Sequence, residues 1–159
     1  MHAKSWNDLT LDDLYSFLKL RCDVFMWEQK ADDEEMDGRD REPGTVHVWI
    51  DDERGCAAYL RILKNERPEH LDAHRVIGRV AVRADRRGSG LSRALMERAV
   101  EIIDAAGEAS MLHAQSYVVG LYERFGYEAY GAEYEEAGIA HRSMYRAARA
   151  SQERARKLS

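Results

Sequence analysis

The sequence predicts an α+β (mixed α/β) domain around one sheet, and three observations carry that expectation. Apolar residues recur at strand period through 46–63 and again through 75–82. From Leu91 to Ala106 the period switches to that of a helix. Short strand, helix and hairpin signals then follow one another to the end, which is the pattern of one sheet flanked by helices.

The elements follow in chain order. Thr10-x-x-Asp13 reads as a capping box opening a helix that runs to about Glu28, with Leu11, Leu14, Tyr15, Leu18, Cys22, Phe25 and Met26 as its apolar stripe. Residues 31–44 are polar, acidic and closed by Pro43-Gly44, so they form a loop. Val46, Val48 and Ile50 alternate with other residues, the stretch 51–55 makes a hairpin turn, and 56–63 returns as a second strand. After a polar connection over 65–74, residues 75–82 form a third strand with Val76, Val80 and Val82 on one face. In the next helix Leu91, Leu95, Ala99, Ile102, Ile103 and Ala106 share a side, and Gly107 terminates it. A strand over 110–114, a helix over 118–125 ended by Gly126, and two strands over 127–134 and 140–145 around Gly138 complete the order.

The 159 residues suit one domain, read as 1–147, with a basic tail over 148–159. Net charge is -5, which argues against a nucleic-acid partner. The charge is uneven. Residues 32–42 hold seven acids against two arginines, whereas 146–157 carries five cations and one acid. The basic end reads as a solvated C-terminal helix, with RNA binding as the rival use. No run approaches the roughly 18 apolar residues of a membrane span, and the first residues lack a signal peptide's apolar core. Cys22 and Cys56 sit in apolar segments with no CxxC, as reduced, buried side chains in a cytoplasmic protein.

The most informative segment runs from Val80-Ala81-Val82 through Arg83 to Arg87, then Gly88-Ser89-Gly90-Leu91-Ser92-Arg93. A strand enters a short basic turn with two glycines and passes directly into a helix. Glycines let backbone N–H groups approach a ligand, and a helix start favours phosphate oxygens. Arg86, Arg87 and Arg93 add counter-charge. Neither GxxxxGK[ST] nor GxGxxG is present, so the turn is neither a P-loop nor a dinucleotide fingerprint.

Arg87-Gly88-Ser89-Gly90-Leu91-Ser92 resembles the [RQ]-x-x-G-x-[GA] pyrophosphate loop of the GNAT acetyltransferases, with Ser92 standing where that pattern has a smaller residue. Leu121-Tyr122-Glu123-Arg124-Phe125-Gly126-Tyr127 resembles a second signature of the same superfamily, in the right order and about 30 residues on. Segments 20–29, 58–63, 76–80 and 138–141 are similar to the ElaA-like branch, so the resemblance extends from about Trp6 to Tyr145. It implies the acyl-CoA N-acyltransferase fold: a mixed, mostly antiparallel sheet flanked by helices and splayed where a bulge parts the 80–82 strand from the 110–114 strand. It also implies acetyl-CoA as co-substrate and transfer of its acetyl group to a primary amine, by direct attack in a ternary complex. The alternative is the same fold kept as a non-catalytic acyl-CoA sensor or partner-binding domain.

On that resemblance, Val80, Ala81 and Val82 pair with the pantetheine arm, and Arg87, Gly88, Ser89, Gly90, Leu91, Ser92 and Arg93 hold the pyrophosphate. The Val82 N–H faces the developing oxyanion, and Tyr122 protonates or contacts the departing thiolate. An alkyl ammonium is mostly charged at neutral pH, so the amine needs a proton acceptor. Glu28 is the candidate base, or else a solvated helix end. Gln29, Asp37, His47, Arg61, Arg79, Glu135 and His141 are candidates for acceptor contact. For His47 the other reading is a satisfied structural histidine. For Arg61 and Arg79 it is ion pairing with Glu28, Asp37, Asp40 or Glu135 to brace the sheet. The acidic loop hints at a cationic acceptor, a small-molecule or peptide amine. No metal is expected, since the histidines show neither HExxH nor a Cys–His ligand spacing, and GxSxG is absent. A homodimer is an expectation of the family only.

Overall fold

A computed structural model of the chain describes residues 1–158. Among the described residues, seven strands are hydrogen-bonded in the order β1-β2-β3-β4-β5-β7-β6, mostly antiparallel, with helices α1 to α4 between and after them. The strands are β1 (His2–Ser5), β2 (Val46–Asp52), β3 (Gly55–Lys64), β4 (Arg75–Val82), β5 (Ser110–Gln115), β6 (Glu128–Glu136) and β7 (Ile139–Arg146). The helices are α1 (Leu11–Arg21), α2 (Leu91–Ala105), α3 (Val119–Glu123) and α4 (Arg149–Leu158). Two compact units share them: Met1–Leu63 with Gly78–Leu95, and Lys64–Ile77 with the described residues from Met96 onward.

In the first unit, Thr10 caps α1 as the sequence predicts, its hydroxyl accepting from the Asp13 N–H while Asp13 accepts from the Thr10 N–H. The helix then departs from expectation. It widens to π geometry over Cys22–Glu28, closed by the Gln29 N–H donating to the Val24 carbonyl five residues back. The buried face is Phe17, Leu20, Arg21 and Val24, with Leu14, Leu18 and Phe25 half-buried. Leu11, Tyr15 and Met26 of the predicted stripe are exposed. Counting at 3.6 residues per turn favoured the more apolar face, whereas the core takes the face carrying Phe17.

That face packs on one side of the β2–β3 hairpin. Phe17 stacks on Tyr59 at 4.7 Å and on His47 at 5.1 Å, and Trp49, Cys56 and Ala81 complete the cluster. A phenylalanine buried to this degree is worth about 3–5 kcal/mol against truncation. β1, too short to show a period in the sequence, pairs antiparallel with β2 from His2↔Trp49 to Ser5↔Val46.

β4 carries an irregularity that positions the site. Arg79, in the middle of the strand, has φ of 55°, a left-handed conformation that a non-glycine residue adopts only under constraint. The alternation breaks there: Val76, Ile77 and Ala81 are buried, while Val80 and Val82 are half-exposed. The predicted common face of Val76, Val80 and Val82 is therefore interrupted. The parallel register of β4 with β5 covers Arg75–Ile77 on β4, all before Arg79.

In the second unit, β7 lies between β5 and β6, pairing antiparallel with both. Ala137 and Gly138, both at positive φ, form the two-residue turn of the β6–β7 hairpin. Met111, Leu112, Tyr127 and Met144 are buried, and Tyr127 meets Ser110 through their hydroxyls at 2.7 Å. Arg146 donates twice to Asp104 (2.6 and 3.0 Å) and once to the Phe125 carbonyl, fixing the turn at Gly126. β6 is an edge strand with an exposed, glutamate-rich sequence. α4 is exposed from 149 to 157 apart from Gln152; of the predicted tail 148–159, residue 159 lies outside the described residues.

Candidate active site

The strand-to-helix turn of the first unit has the form the sequence anticipates. β4 ends at Val82, a single 3₁₀ turn spans Ala84–Arg86, and Arg87 leads into Gly88 and Gly90 at φ of 78° and 83°. These conformations are what the two glycines supply. A Cβ added at either meets nothing within 4 Å, so backbone shape and not crowding demands them. The Gly90 carbonyl accepts from the Ala94 N–H, making Gly90 the entry to α2 and placing the N–H groups of Leu91, Ser92 and Arg93 in its first turn. Ser92 is half-exposed, Ser89 is exposed, and its hydroxyl donates to the Arg86 carbonyl.

The arginines of this turn are not equivalent. Arg86 pairs with Asp52 at 2.5 Å, in company with Arg83, and so does not supply free counter-charge to the loop. These arginines and the Arg54 N–H hold the Asp52 carboxyl well below the usual carboxylate range. Arg87 is half-exposed, and its guanidinium reaches the Val82 carbonyl (3.2 Å) and the Glu28 carboxylate (2.7 Å). Glu28, at the end of the π-helical segment, is thus brought to the end of β4.

The first unit also holds a buried ionic cluster. Arg21 is fully buried; it meets Glu35 at 2.5 Å and Asp40 at 2.7 Å, and stands 5.5 Å from the centre of the Tyr59 ring. Arg61, 3% exposed, grips Asp37 with two hydrogen bonds and reaches Asp40 with a third. Arg79, at the irregularity of β4, lies 2.8 Å from Glu35, an ion pair outside hydrogen-bonding alignment, and 3.5 Å from Asp37. Three guanidinium groups therefore face three carboxylates, and the acidic loop is strapped to the sheet by its own charges. Burial alone raises the Asp37 carboxyl, but the Arg61 hydrogen bonds, the Arg39 N–H and the nearby cations outweigh it and hold the group at about 2.

This cluster decides between the readings left open for its residues. Arg61 and Asp37 are spent on each other, so they brace the loop and do not offer themselves to an acceptor. His47 is fully buried, with Nδ1 against the Tyr59 hydroxyl at 2.7 Å and Nε2 against the Asp40 carbonyl at 3.0 Å. A carbonyl can only accept, so Nε2 carries the proton and Nδ1 accepts from Tyr59. Burial lowers the His47 pKa and favours this neutral form. It is a structural histidine. The hint of a cationic acceptor loses its basis in Asp37 and Asp40, which are already neutralised. Glu35 was missed by sequence reasoning, since nothing separates it from its exposed neighbours Asp32, Asp33 and Glu34 before the loop is folded. Gln29 is half-buried beside Glu28 and is not isolated.

In the second unit, Tyr122 on α3 is 6% exposed, and burial, with a smaller contribution from Tyr117, pushes its phenol up to about 12. The hydroxyl therefore stays protonated at neutral pH. Glu135 is exposed on β6, whereas His141 on β7 is half-buried, stacked on Tyr134 at 5.8 Å and bonded to the Ile139 carbonyl. Cys56 is buried with its thiol pushed up to about 12 by desolvation, which makes it inert as a nucleophile. Among the described residues no group of three or more His, Cys, Asp or Glu side chains is placed to hold a metal ion, and no helix is long and apolar enough to cross a membrane.

Comparison with known proteins decides which family this geometry belongs to. The acetyltransferase (GNAT) domain profile matches residues 17–147. The chain belongs to the GNAT acetyltransferases. Within that family it is similar to a UPF0039 protein of Mycobacterium tuberculosis, with 34% identity over 142 residues and 87% of each chain covered. The crystal structure of Escherichia coli ElaA superposes with a TM-score of 0.83 at 31% identity, over 91% of this chain and 97% of that one. An acyl-CoA N-acyltransferase from Pseudomonas aeruginosa gives the same TM-score at 38% identity, over 92% and 97%. The chain is thus an ElaA-like GNAT protein with the fold of acyl-CoA-dependent acyltransferases.

Proposed function

We propose that this GNAT chain transfers the acetyl group of acetyl-CoA to a primary amine of a small molecule or peptide. The observation that carries the reading is the turn itself: a half-exposed strand end at Val82, two glycines at positive φ, and the first N–H groups of α2, all in one run of chain. In this reading Arg87 to Arg93 hold the CoA diphosphate with backbone N–H groups and the Arg87 guanidinium. Val80, Ala81 and Val82 offer backbone groups to the pantetheine arm as an added strand does.

The chemistry is direct. The amine nitrogen attacks the thioester carbonyl, the N–C bond forms, and negative charge gathers on the oxygen, where the Val82 N–H donates to it. Glu28 takes the amine proton. The C–S bond then breaks, and the Tyr122 hydroxyl donates to the leaving sulfur. A phenol that stays un-ionised at neutral pH suits that role. Gln29, Arg79, Glu135 and His141 are the candidate acceptor contacts. Residues 1–147 carry the activity, with 148–159 as a basic tail appended to them.

Thermal melting with CoA, acetyl-CoA and a panel of primary amines tests the reading, followed by assay of free thiol release. A ligand that binds only the folded state raises the melting temperature. Acetyl-CoA and CoA are expected to raise it, and at least one amine to release thiol. A melting temperature unmoved by any CoA species at millimolar concentration refutes the reading.

A further inference from the structure

The Arg87 side chain does two things at once. Its Nε donates to the Val82 carbonyl, and its Nη2 holds the Glu28 carboxylate at 2.7 Å. Glu28 comes from the end of the first helical segment and Arg87 from the glycine turn, 59 residues later. One guanidinium thus covers a backbone group at the strand end and neutralises the carboxylate nearest to it.

We propose that Arg87 is a latch, opened by the CoA diphosphate, that keeps Glu28 and the Val82 carbonyl occupied until the nucleotide is seated. The inference rests on the acyl-CoA reading above and adds to it a coupling between two parts of one site. A guanidinium binds a phosphate in the same forked geometry as a carboxylate, and a diphosphate brings more negative charge than Glu28 does. As the diphosphate draws Arg87 away, the Val82 carbonyl becomes available to an amide N–H of the pantetheine arm. The Glu28 carboxylate loses its cation in the same event and can accept a proton from an amine. The amine's base is therefore assembled only after CoA has bound, and Glu28 competes with CoA for Arg87.

That competition has a sign opposite to a simple binding role. Removing the Glu28 charge abolishes the competing partner and so tightens CoA, even as it removes the base. The pair is partly exposed, with side-chain exposures of 49% and 35%, and exposed pairs contribute only weakly. The expected tightening is accordingly about two- to five-fold.

The test is a double-mutant cycle read by CoA titration calorimetry on the full chain: wild type, Glu28→Gln, Arg87→Ala and the double variant, with Glu28→Ala repeating the arm without an amide to hold Arg87. The latch requires that Glu28→Gln and Glu28→Ala bind CoA more tightly than wild type, and that Glu28→Gln changes nothing in the Arg87→Ala background. Equal tightening in both backgrounds would mean general repulsion between Glu28 and phosphate, and overturns the latch. So does unchanged or weaker CoA binding by both Glu28 variants while wild type binds. A wild-type chain that binds no CoA overturns the latch together with the reading beneath it. Both side chains lie at the surface, and melting of each variant without ligand verifies that the fold is kept.

Discussion

Arg61 and Asp37 meet through two parallel hydrogen bonds, Nη1 to Oδ1 at 2.9 Å and Nη2 to Oδ2 at 2.7 Å, across 24 residues of chain. This fork ties the acidic loop to the middle of β3 and leaves Arg61 with 3% of its surface exposed. Arg61→Ala leaves Asp40 with Arg21 and Asp37 with Arg79, so two guanidinium groups face three carboxylates. Breaking a buried pair in this way costs about 3–5 kcal/mol, because an uncompensated charge remains inside. Urea denaturation of the variant is expected to show a loss of that size; a loss under about 1 kcal/mol would mean that the loop relaxes and rehydrates its carboxylates.

The same fork has a pH signature. The Asp37 carboxyl is held at about 2, below its ordinary value of 3.8, so it binds its proton less readily folded than unfolded. Its contribution to stability is present above about pH 4 and is lost as pH falls through the window from 3.8 to about 2. Stability measured in urea at pH 6, 4, 3 and 2 is expected to decline on the acid side, and to decline less steeply for Asp37→Asn. Parallel curves for the two proteins count against the assignment.

Tyr122→Phe removes the hydroxyl and keeps the ring that fills α3's buried position. Turnover of an accepted amine is expected to fall about 10²-fold, the lower range for loss of a positioned acid, with CoA affinity nearly unchanged. A variant with full turnover assigns the proton elsewhere. Complete absence of turnover in the wild-type chain, with CoA still bound, favours a sensor.

Gly90→Ala tests the backbone of the turn. An alanine at φ of 83° costs about 1–2 kcal/mol, although its methyl meets no neighbour. The variant is expected to lose stability by that amount and to bind CoA more weakly, because relief of the strain shifts the N–H groups at the start of α2. Unaltered stability and CoA binding together contradict the role given to this glycine.

Much of the fold was legible because period and punctuation agree along most of the chain. The limits of β4 match the sequence reading at both ends, Thr10 forms its capping box, and Gly107 and Gly126 take the positive φ that ends a helix. What escaped was set by tertiary contact. The first helix presents Phe17 and Leu20 to the core and leaves Leu11 and Tyr15 outside, a choice that depends on the hairpin it packs against. The π turn after Arg21 breaks the 3.6-residue count, so Met26 falls outside the stripe. At the site, the glycine turn could be read from spacing, since its chemistry is local. The ionic cluster could be read only in part: cations inside strands call for carboxylates, which pointed Arg61 and Arg79 toward Asp37 and Asp40, but nothing local brought in Glu35. Arg21, Glu35, Asp40, Arg61 and Arg79 come from four separate segments, and only their convergence distinguishes Glu35 from the solvated acids beside it.

β6 has a consequence for how two copies can meet. Its free border carries Glu128, Glu133, Glu135 and Glu136 within nine residues. Laying this strand against the same strand of another molecule gathers eight carboxylates, four from each copy, into one ladder, and like charges opposed across strands repel. At neutral pH that border resists self-templating, as charged edges do in sheets that must stay single. A strand added at this border is favoured when it brings lysines or arginines opposite the glutamates.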